Sequence, residues 1–405
     1  MVRLNMLRYH LALRGKDMFQ HWNHALLAAS AAMEKLSVRG FLLLVTLCTA
    51  GPLHAQRQPD SGDSWKFAVS GDSRNCGDIV MPAIAQGVHR DGAAFYWHLG
   101  DYRAMSNFDE DYRRINPNAT IDDYLSAAWP DFIRHQINPF GDLPVFLEIG
   151  NHELVTPMTR NQYIAQFADW LDQPVLRRQR LADNPDDHRI KTYYHWIDRG
   201  IDFIGMDNAS ADMFDADQMT WFQNVLAKDA KDASVRTVVL GMHASLPDGL
   251  SAGHSMNDSA QEQASGRKVY AQLIAFRRSS KKNVYVLASH SHFILDNVYE
   301  TACHSKDEVL TGWIMGSAGA VWYRLPTDHA AADVAMTDVY GYLLATVAPD
   351  GTMTFEFKQV KKSDVPASVV KEFSQQQVDW CFGQNTSTYT PAGPNCAKGA
   401  LSSSQ

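Results

Sequence analysis

The sequence has little of what would anchor a chain in a membrane or draw it to nucleic acid. The apolar run from Phe41 to Ala50 holds about ten residues, whereas a helix that spans a bilayer needs about twenty. A stable membrane anchor is therefore not expected. Acidic side chains outnumber basic ones, 45 to 37, and no extended basic run offsets them, so a nucleic-acid partner is not expected either. No internal repeat is visible.

The first 55 residues are typical of an export signal rather than a folded domain. A short basic stretch, Lys35 to Arg39, precedes the apolar run, and Leu53-His54-Ala55 forms a small-residue cleavage pattern before Gln56. The 32 residues before Met33 show no sustained pattern, which favours Met33 as the true start. We interpret residues 1–55 as an upstream extension plus signal peptide, and expect a secreted or periplasmic protein. Their removal takes away six basic and two acidic side chains, leaving 31 and 43, a net charge of −12.

Cysteine is scarce, which limits the possible disulfides. The chain has five cysteines, one of which, Cys48, lies in the apolar run. Cys76, Cys303, Cys381 and Cys396 remain, and an even number in an exported protein permits two disulfides in three possible pairings. Four buried free thiols are the alternative.

Apolar, β-branched and aromatic runs alternate with amphipathic stretches, which predicts strands separated by helices in a layered α/β fold. We expect a linker at 56–64, one domain at 65–362, and a C-terminal segment at 363–405 whose Ser-, Thr-, Pro- and Gly-rich end is partly disordered. The predicted strands are Trp65–Ser70, Ala94–Leu99, Pro144–Ile149, Thr192–Ile197, Asp202–Met206, Thr237–Met242, Asn283–Ala288, Tyr340–Val347 and Met353–Val360.

Four amphipathic stretches are predicted as helices, and two polar insertions stand between the periodic segments. The insertions, Arg103–Ile121 and Arg177–Lys191, are candidates for surface loops that border a substrate cleft. The predicted helices are Asp122–Ile137, Arg160–Leu171, Ala216–Ala230 and Arg267–Arg278.

Polar side chains follow the ends of five predicted strands. Ligands bind at strand ends in α/β sheets, and a turn-forming glycine lets a neighbouring Asp, Asn or His approach the others closely. Each fragment alone is weak evidence, since such pairs are usually ordinary turns, but five in one chain are hard to obtain by chance. The five segments are Gly71-Asp72, Gly100-Asp101, Gly150-Asn151-His152-Glu153, Gly241-Met242-His243 and Ser289-His290-Ser291-His292.

The order Asp, Gly-Asp, Gly-Asn-His-Glu, His and His-x-His resembles the calcineurin-like metallophosphoesterases, a superfamily that includes purple acid phosphatases and protein Ser/Thr phosphatases. The resemblance covers about Lys66 to Val360. It implies a four-layer α-β-β-α sandwich of two packed mixed sheets flanked by helices. It also implies an enzyme that hydrolyses a small phosphate ester with a water activated by two metal ions.

The resemblance assigns six side chains to these ions. Asp72 and His292 would hold the first ion, and Asp101 would bridge both. Such a pair of ions, roughly 3.5–4 Å apart, lowers the pKa of water and clamps phosphoryl oxygens. Nitrogen and oxygen ligands without thiolate suit Fe, Mn, Zn or Co. Asn151, His243 and His290 would complete the coordination of the second ion.

His152 is expected beside the ions without binding them, where it would donate a proton to the leaving oxygen or steady the phosphate. Glu153 would orient the loop. Two alternatives stay open. One is a degenerate relative that binds phosphate or one metal ion without turnover, and the other is a plain extracellular binding domain in which these Asp and His residues are structural.

The first motif departs from the superfamily, because Asp72-Ser73-Arg74 stands where Asp-x-His is usual. An arginine cannot bind a metal ion, and the ion would repel it. We therefore expect Arg74 to lean outward and to bind the equatorial oxygens of a phosphate with its planar fork. A salt bridge to a carboxylate such as Asp78 is the alternative.

The second motif departs as well, because Ala104 stands where protein phosphatases have an Asp that pairs with the catalytic His. Asp109 and Asp111 are candidate substitutes. Purple acid phosphatases instead place a Tyr at this point, whereas here Tyr102 directly follows Asp101 and would point elsewhere.

Two disulfides are predicted. Cys381 and Cys396 are close in sequence around a loop with Pro and Gly, and we expect them to pair. Cys76 would then pair with Cys303, joining segments that follow two of the strand ends that carry metal ligands.

Overall fold

The computed structural model of the chain describes residues 62–257, 259–327, 329, 332–394 and 396. The predicted signal peptide and extension lie outside the described residues. These described residues include no helix with the length and apolar character needed to cross a membrane. They form twelve strands: β1 Trp65–Ser70, β2 Tyr96–His98, β3 Val145–Leu147, β4 Tyr194–Asp198, β5 Ile201–Met206, β6 Thr237–Met242, β7 Asn283–Ala288, β8 Ile294–Leu295, β9 Thr311–Met315, β10 Ala335–Met336, β11 Tyr340–Val347 and β12 Met353–Val360.

Ten α-helices accompany the strands in the described part of the chain. A π-helical turn, Ile133–Ile137, and three short 3₁₀ segments, Asn138–Phe140, Asn151–Leu154 and Lys362–Asp364, complete the regular structure there. The α-helices are α1 Gly77–Arg90, α2 Glu110–Ile115, α3 Ile121–Phe132, α4 Arg160–Gln166, α5 Ala168–Leu171, α6 Pro174–Asp183, α7 Ala216–Asp229, α8 Ala260–Ser280, α9 Ala367–Phe373 and α10 Gln375–Cys381.

The strands form two mixed sheets. The five-stranded sheet has the order β12-β11-β1-β2-β3, and the seven-stranded sheet has the order β10-β8-β9-β7-β6-β5-β4. Strands β1, β2 and β3 are parallel, as are β5, β6, β7 and β9, whereas the outer strands pair antiparallel. The carboxyl ends of the central parallel strands therefore lie at one edge of each sheet.

The two sheets pack face to face through aromatic side chains. Phe203 of β5 meets Phe67 of β1 with ring centroids 5.1 Å apart, and Trp196 stacks on Phe146 at 3.9 Å. Ile204, which follows Phe203 in β5, points to the opposite face of its sheet, into a second core that it shares with helices α7 and α8. Helix α1 lies in the core of the five-stranded sheet. This period-two alternation buries both faces of the central strands, and the predicted sandwich of two mixed sheets flanked by helices is confirmed.

All nine predicted strands exist, but several helices were missed. Helix α1 escapes the pattern because it begins at Gly77 and contains Pro82, two residues that usually interrupt helices. The insertion Arg177–Lys191 is not a plain loop, since α6 covers its first part. The insertion Arg103–Ile121 contains α2 and several fully buried side chains. Its polar residues form an internal cluster. Composition alone does not show whether polar residues are buried in such a cluster or exposed in a solvated loop.

Both predicted disulfides are wrong, because the structure joins Cys76 to Cys381 and Cys303 to Cys396. Helix α10 brings Cys381 beside the start of α1, where Cys76 lies with its Cα 6.0 Å away. The chain continues from α10 for about 15 residues to Cys396, and a segment of this length can span up to about 50 Å. Nearness in sequence was therefore a poor guide to nearness in space.

We expect that replacing Cys76 and Cys381 together with Ser lowers the free energy of unfolding by about 2–5 kcal/mol, because this disulfide restricts a long loop in the unfolded chain. The loop spans 305 residues, whereas that of Cys303–Cys396 spans 93. The matched Cys303→Ser, Cys396→Ser variant lacks the disulfide that closes the shorter loop, so its free energy of unfolding should fall by about 1 kcal/mol less than that of the first variant if loop entropy determines the effect. Denaturant unfolding measures both losses, and non-reducing peptide mapping that finds other pairs would contradict the assignment.

Candidate metal centre

The carboxyl ends of strands from both sheets converge on one cluster of polar side chains. Asp72 follows β1, Asp101 follows β2, and His243 and His290 follow β6 and β7. The carbonyl oxygen of Leu99 joins the sheets, since it accepts hydrogen bonds from His243 Nδ1 at 2.9 Å and from the Ser289 hydroxyl at 2.7 Å. The structure therefore assembles strand ends that are far apart in sequence.

Four of the predicted ligands form a compact set. Asp72, Asp101, His243 and His290 each offer one ligand atom, and these atoms all lie within 4.8 Å of one another. All four side chains are buried. Ligand atoms about 2.0–2.2 Å from a metal ion lie at most about 4.4 Å apart, so the set fits one ion after a small contraction. Groups of nitrogen and carboxylate donors suit the transition metals named above.

The two carboxylates are ionised and incompletely satisfied. Burial opposes ionisation, but His292 and His243 outweigh it and lower the pKa of Asp72, and His243 and His152 lower that of Asp101 well below its usual range. Asp72 Oδ1 and Asp101 Oδ2 are buried and have no hydrogen-bond partner among the described residues. Unpaired buried anionic oxygens are costly, so this position favours a cation.

His243 gives a second indication of a cation. Its Nδ1 faces the carbonyl of Leu99, which only accepts, so Nδ1 carries the ring hydrogen. Its Nε2 then faces Oδ1 of Asp101 at 3.3 Å and Oδ1 of Asn151 at 3.0 Å. These oxygens require either a proton or a metal ion at Nε2. Burial lowers the pKa of His243, but Asp101 outweighs it and raises the pKa to about 10.

The backbone at three of these residues adopts the left-handed conformation. The φ angles are +58° at Asp72, +58° at Asp101 and +66° at His290. Residues other than glycine rarely adopt this conformation, and such strain concentrates at functional sites. Gly150 lets the Asp101 carboxylate lie directly against the backbone of the loop after β3, because a Cβ at Gly150 would lie 2.3 Å from Oδ1 of Asp101. Any larger residue at this position would displace the carboxylate.

Glu153 holds the loops after β2 and β3 together. One carboxylate oxygen accepts hydrogen bonds from the backbone N–H groups of Asp101 and Gly150, at 2.9 and 2.8 Å, and the other accepts from Tyr102 at 2.9 Å. Burial, with a further contribution from Asp101, raises the pKa of Glu153 to about 8. Through these bonds one side chain fixes the positions of both loops.

His152 lies beside the ligand set with its ring held by the backbone. Its Nδ1 is 2.5 Å from the carbonyl oxygen of Ala104, so Nδ1 carries the hydrogen and Nε2 faces the site, 3.8 Å from Asp101 Oδ2. The Ala104 carbonyl thus stands where the resemblance predicts an acidic partner for this ring. Asp109 and Asp111 do not substitute for it, since both lie around Arg103 instead.

Arg74 does not lean outward as expected. Its Nη1 lies 2.5 Å from His152 Nε2 and its Nη2 lies 3.1 Å from His292 Nε2. The Asp78 alternative is wrong too, because that carboxylate pairs with Arg103 at 2.7 Å. The guanidinium turns inward because two ring lone pairs and the carboxylate of Asp101, 3.9 Å from Nε, attract it.

Arg103 is the centre of a buried polar cluster that the sequence did not reveal. Its guanidinium is fully buried and lies 2.7 Å from Asp78, 2.5 Å from Asp131, and 3.6 Å from both Asp109 and Asp111. Burial raises the pKa of Asp111 well above its usual range. The only sequence signal was the acidic run in a polar insertion, which equally fits a solvated loop.

Through Asp109 this cluster supports the site. Asp109 Oδ1 accepts hydrogen bonds from the backbone N–H of Asn75 at 2.6 Å and from that of Ala104 at 3.0 Å. Asn75 directly follows Arg74, and the carbonyl of Ala104 holds the His152 ring. Asp109 therefore ties together the two loops that place these side chains.

An aromatic wall completes one side of the site. The ring of His254 lies 4.9 Å from that of His290, 5.0 Å from Tyr323 and 4.7 Å from Tyr389. Tyr323 in turn stacks on His292 at 4.0 Å. Burial lowers the pKa of His254 to about 4. His254, Tyr323 and Tyr389 do not follow predicted strands, so the sequence offered no reason to place them here.

No protein-family model matches the chain, and no curated protein matches it either. Among solved structures it is similar to the purple acid phosphatase PPD1 from seeds of yellow lupin (Lupinus luteus), at 16% identity and a TM-score of 0.47, over 74% of this chain and 52% of that one. The chain thus spans about half the length of that phosphatase.

Two further solved structures are similar to the chain. PhoD matches at 14% identity and a TM-score of 0.44, over 78% of this chain and 77% of that one. A metallophosphoesterase from Sphaerobacter thermophilus matches at 12% identity and a TM-score of 0.27, over 77% of this chain and 99% of that one.

We expect Arg103→Met to lower the free energy of unfolding by about 3–5 kcal/mol, because removing one partner leaves buried carboxylates without their cation. Arg134→Met is the matched control. Its side chain is 70% exposed and pairs with Glu372 at 3.5 Å, so the change should stay within about 0.5 kcal/mol. Equal stability of the two variants in urea unfolding would show that the buried cluster does not stabilise the fold.

Proposed function

We propose that this chain is a metal-dependent phosphoesterase that hydrolyses a small phosphate ester. The observation that carries the proposal is the set of ligand atoms from Asp72, Asp101, His243 and His290, all within 4.8 Å of one another, with His152 beside it. Buried carboxylates with unpaired oxygens, imidazoles and a neighbouring proton-transfer group form the combination that hydrolysis of a phosphate ester requires. Asn151, whose Oδ1 lies 3.0 Å from His243 Nε2, would complete the donors.

A cation bound there would lower the pKa of water and neutralise charge on the phosphoryl oxygens. In hydrolysis, a bond forms between the water oxygen and phosphorus while the ester P–O bond breaks, and the water releases a proton. The leaving oxygen needs a proton. We propose that His152 donates it from Nε2 once a bound ester draws the Arg74 guanidinium off this nitrogen and leaves Nε2 free to carry a proton. The Ala104 carbonyl, by holding Nδ1–H, keeps Nε2 directed into the site.

A degenerate relative that binds phosphate or one metal ion without turnover is the second candidate. It is favoured by Arg74 in the place of a ligand and by the missing Asp at position 104. The contact of His152 with the Ala104 carbonyl favours the enzyme, because the ring is held although the Asp is absent. Metal analysis and an assay of nucleotide, sugar-phosphate and lipid head-group esters with Fe, Mn, Zn or Co separate these candidates. Metal binding without hydrolysis of any ester would support the degenerate relative, and absence of bound metal would support a plain binding domain.

We also propose that the protein is exported and processed before Gln56. Two disulfides support this location, because they persist mainly in oxidising compartments. Expression in a bacterial host with residues 1–405 should give periplasmic or secreted protein whose N-terminal sequence begins at Gln56. Cytoplasmic protein that retains residues 33–55 would contradict export.

His152→Ala should lower kcat by about 10²–10⁴-fold, the usual value of general acid catalysis. Metal content should stay at the wild-type level, because His152 lies beside the ligand set. Steady-state kinetics together with elemental analysis test both points. The control is His188→Ala, which changes an exposed histidine and should leave kcat unchanged. Wild-type turnover in His152→Ala would remove the proposed role.

Asp101→Asn should lose both bound metal and activity. Asp101 is fully buried, and its charge attracts the cation more strongly than a neutral amide does. Elemental analysis after dialysis measures the metal, and circular dichroism checks that the variant is folded. A folded variant with full metal content would show that Asp101 is not a ligand.

A further inference from the structure

The guanidinium of Arg74 lies among the side chains that the resemblance assigns to the first metal ion. Nη2 is 3.1 Å from Nε2 of His292, and Nε2 of His292 is 3.4 Å from Oδ1 of Asp72. The hydroxyl of Tyr323 lies 3.4 Å from the same Nη2. The side chain of Arg74 is only 14% exposed. A positive group thus stands at the position where a cation is expected.

The hydrogen bonds of the two neighbouring rings show that their lone pairs point at Arg74. His292 Nδ1 lies 2.7 Å from the carbonyl oxygen of Val321, and His152 Nδ1 lies 2.5 Å from that of Ala104. Carbonyl oxygens only accept, so both rings carry hydrogen on Nδ1 and a lone pair on Nε2. Arg74 donates to both lone pairs. In this arrangement, neither lone pair is available to a metal ion.

The remaining ligands suffice for one ion. The set within 4.8 Å consists of Asp72, Asp101, His243 and His290, without His292. An ion in this set would share Asp101 with Arg74, whose Nε lies 3.9 Å from Oδ2. A second ion next to the guanidinium would meet an adjacent positive charge in a buried site, where repulsion is weakly screened.

We propose that Arg74 takes the place of one of the two metal ions, so that each chain binds a single metal ion and uses the guanidinium as the second positive charge. This inference rests on the proposed phosphoesterase function and specifies its cation requirement. A guanidinium carries a fixed charge and a planar pair of donors that match two phosphoryl oxygens. It would therefore supply part of the clamp that a second ion supplies in two-metal sites.

Metal stoichiometry tests the proposal directly. Wild-type protein stripped with a chelator and dialysed against Mn²⁺ should retain one ion per chain by elemental analysis. Its electron paramagnetic resonance spectrum should show the six-line signal of an isolated Mn²⁺. Two ions roughly 3.5–4 Å apart would couple magnetically instead. Two tightly held ions, or a coupled signal, in the wild-type protein would overturn the proposal.

Arg74→His is the complementary variant, since it removes the guanidinium, frees His292 Nε2 and adds an imidazole. It should bind a second Mn²⁺ more tightly than wild type by more than about tenfold and develop a coupled signal. Arg74→Lys should still bind one ion. Arg134→His, at an exposed position, is the control and should also bind one. If folded Arg74→His, checked by circular dichroism, gains no second ion, Arg74 does not occupy a metal position.

The failure of the proposed function gives a different result. Wild-type protein that binds no ion would refute the phosphoesterase proposal together with this inference. One bound ion without hydrolysis of any ester would refute catalysis but leave the replacement of the second ion by Arg74 supported.

Discussion

Two buried, ionised carboxylates, those of Asp72 and Asp101, impose the constraint on which the site depends. A buried carboxylate needs hydrogen-bond donors or cations, and the surrounding elements supply them. The backbone N–H of His290 donates to Asp72 at 2.7 Å, and that of His152 donates to Asp101 at 3.0 Å. One oxygen of each carboxylate is left without a hydrogen-bond partner among the described residues. These two oxygens leave the cluster able to accept a cation, which a closed polar core could not do.

Two other buried acidic side chains hold the loops around these carboxylates in place. Glu153 binds three backbone N–H groups across the loops after β2 and β3. Asp109, itself near Arg103, binds the loops that carry Arg74 and Ala104. The Ala104 carbonyl orients the His152 ring as long as its loop stays in place.

The sequence allowed the five polar strand ends and the layered fold to be predicted, because strand periodicity and turn glycines are local signals. The strand Trp65–Ser70, for example, has its predicted bounds. What failed depends on distant packing. The direction of Arg74 depends on rings more than 70 residues away in sequence. The buried state of Arg103 and the partner of Cys76 likewise depend on elements that meet only in the folded chain.

The C-terminal segment shows the same dependence on distant packing and connects it to the site. Asn385 and Tyr389 accept backbone hydrogen bonds from Trp322 and Arg324, at 2.9 and 2.8 Å, on either side of Tyr323. The ring of Tyr389 lies 4.9 Å from that of Tyr323, which stacks on His292 and lies near the Arg74 guanidinium. Helix α10 is tied by its disulfide to Cys76, two residues after Arg74. The C-terminal segment therefore braces both the backbone near Arg74 and the Tyr323 ring beside its guanidinium, so the position of this positive charge depends on how that segment packs.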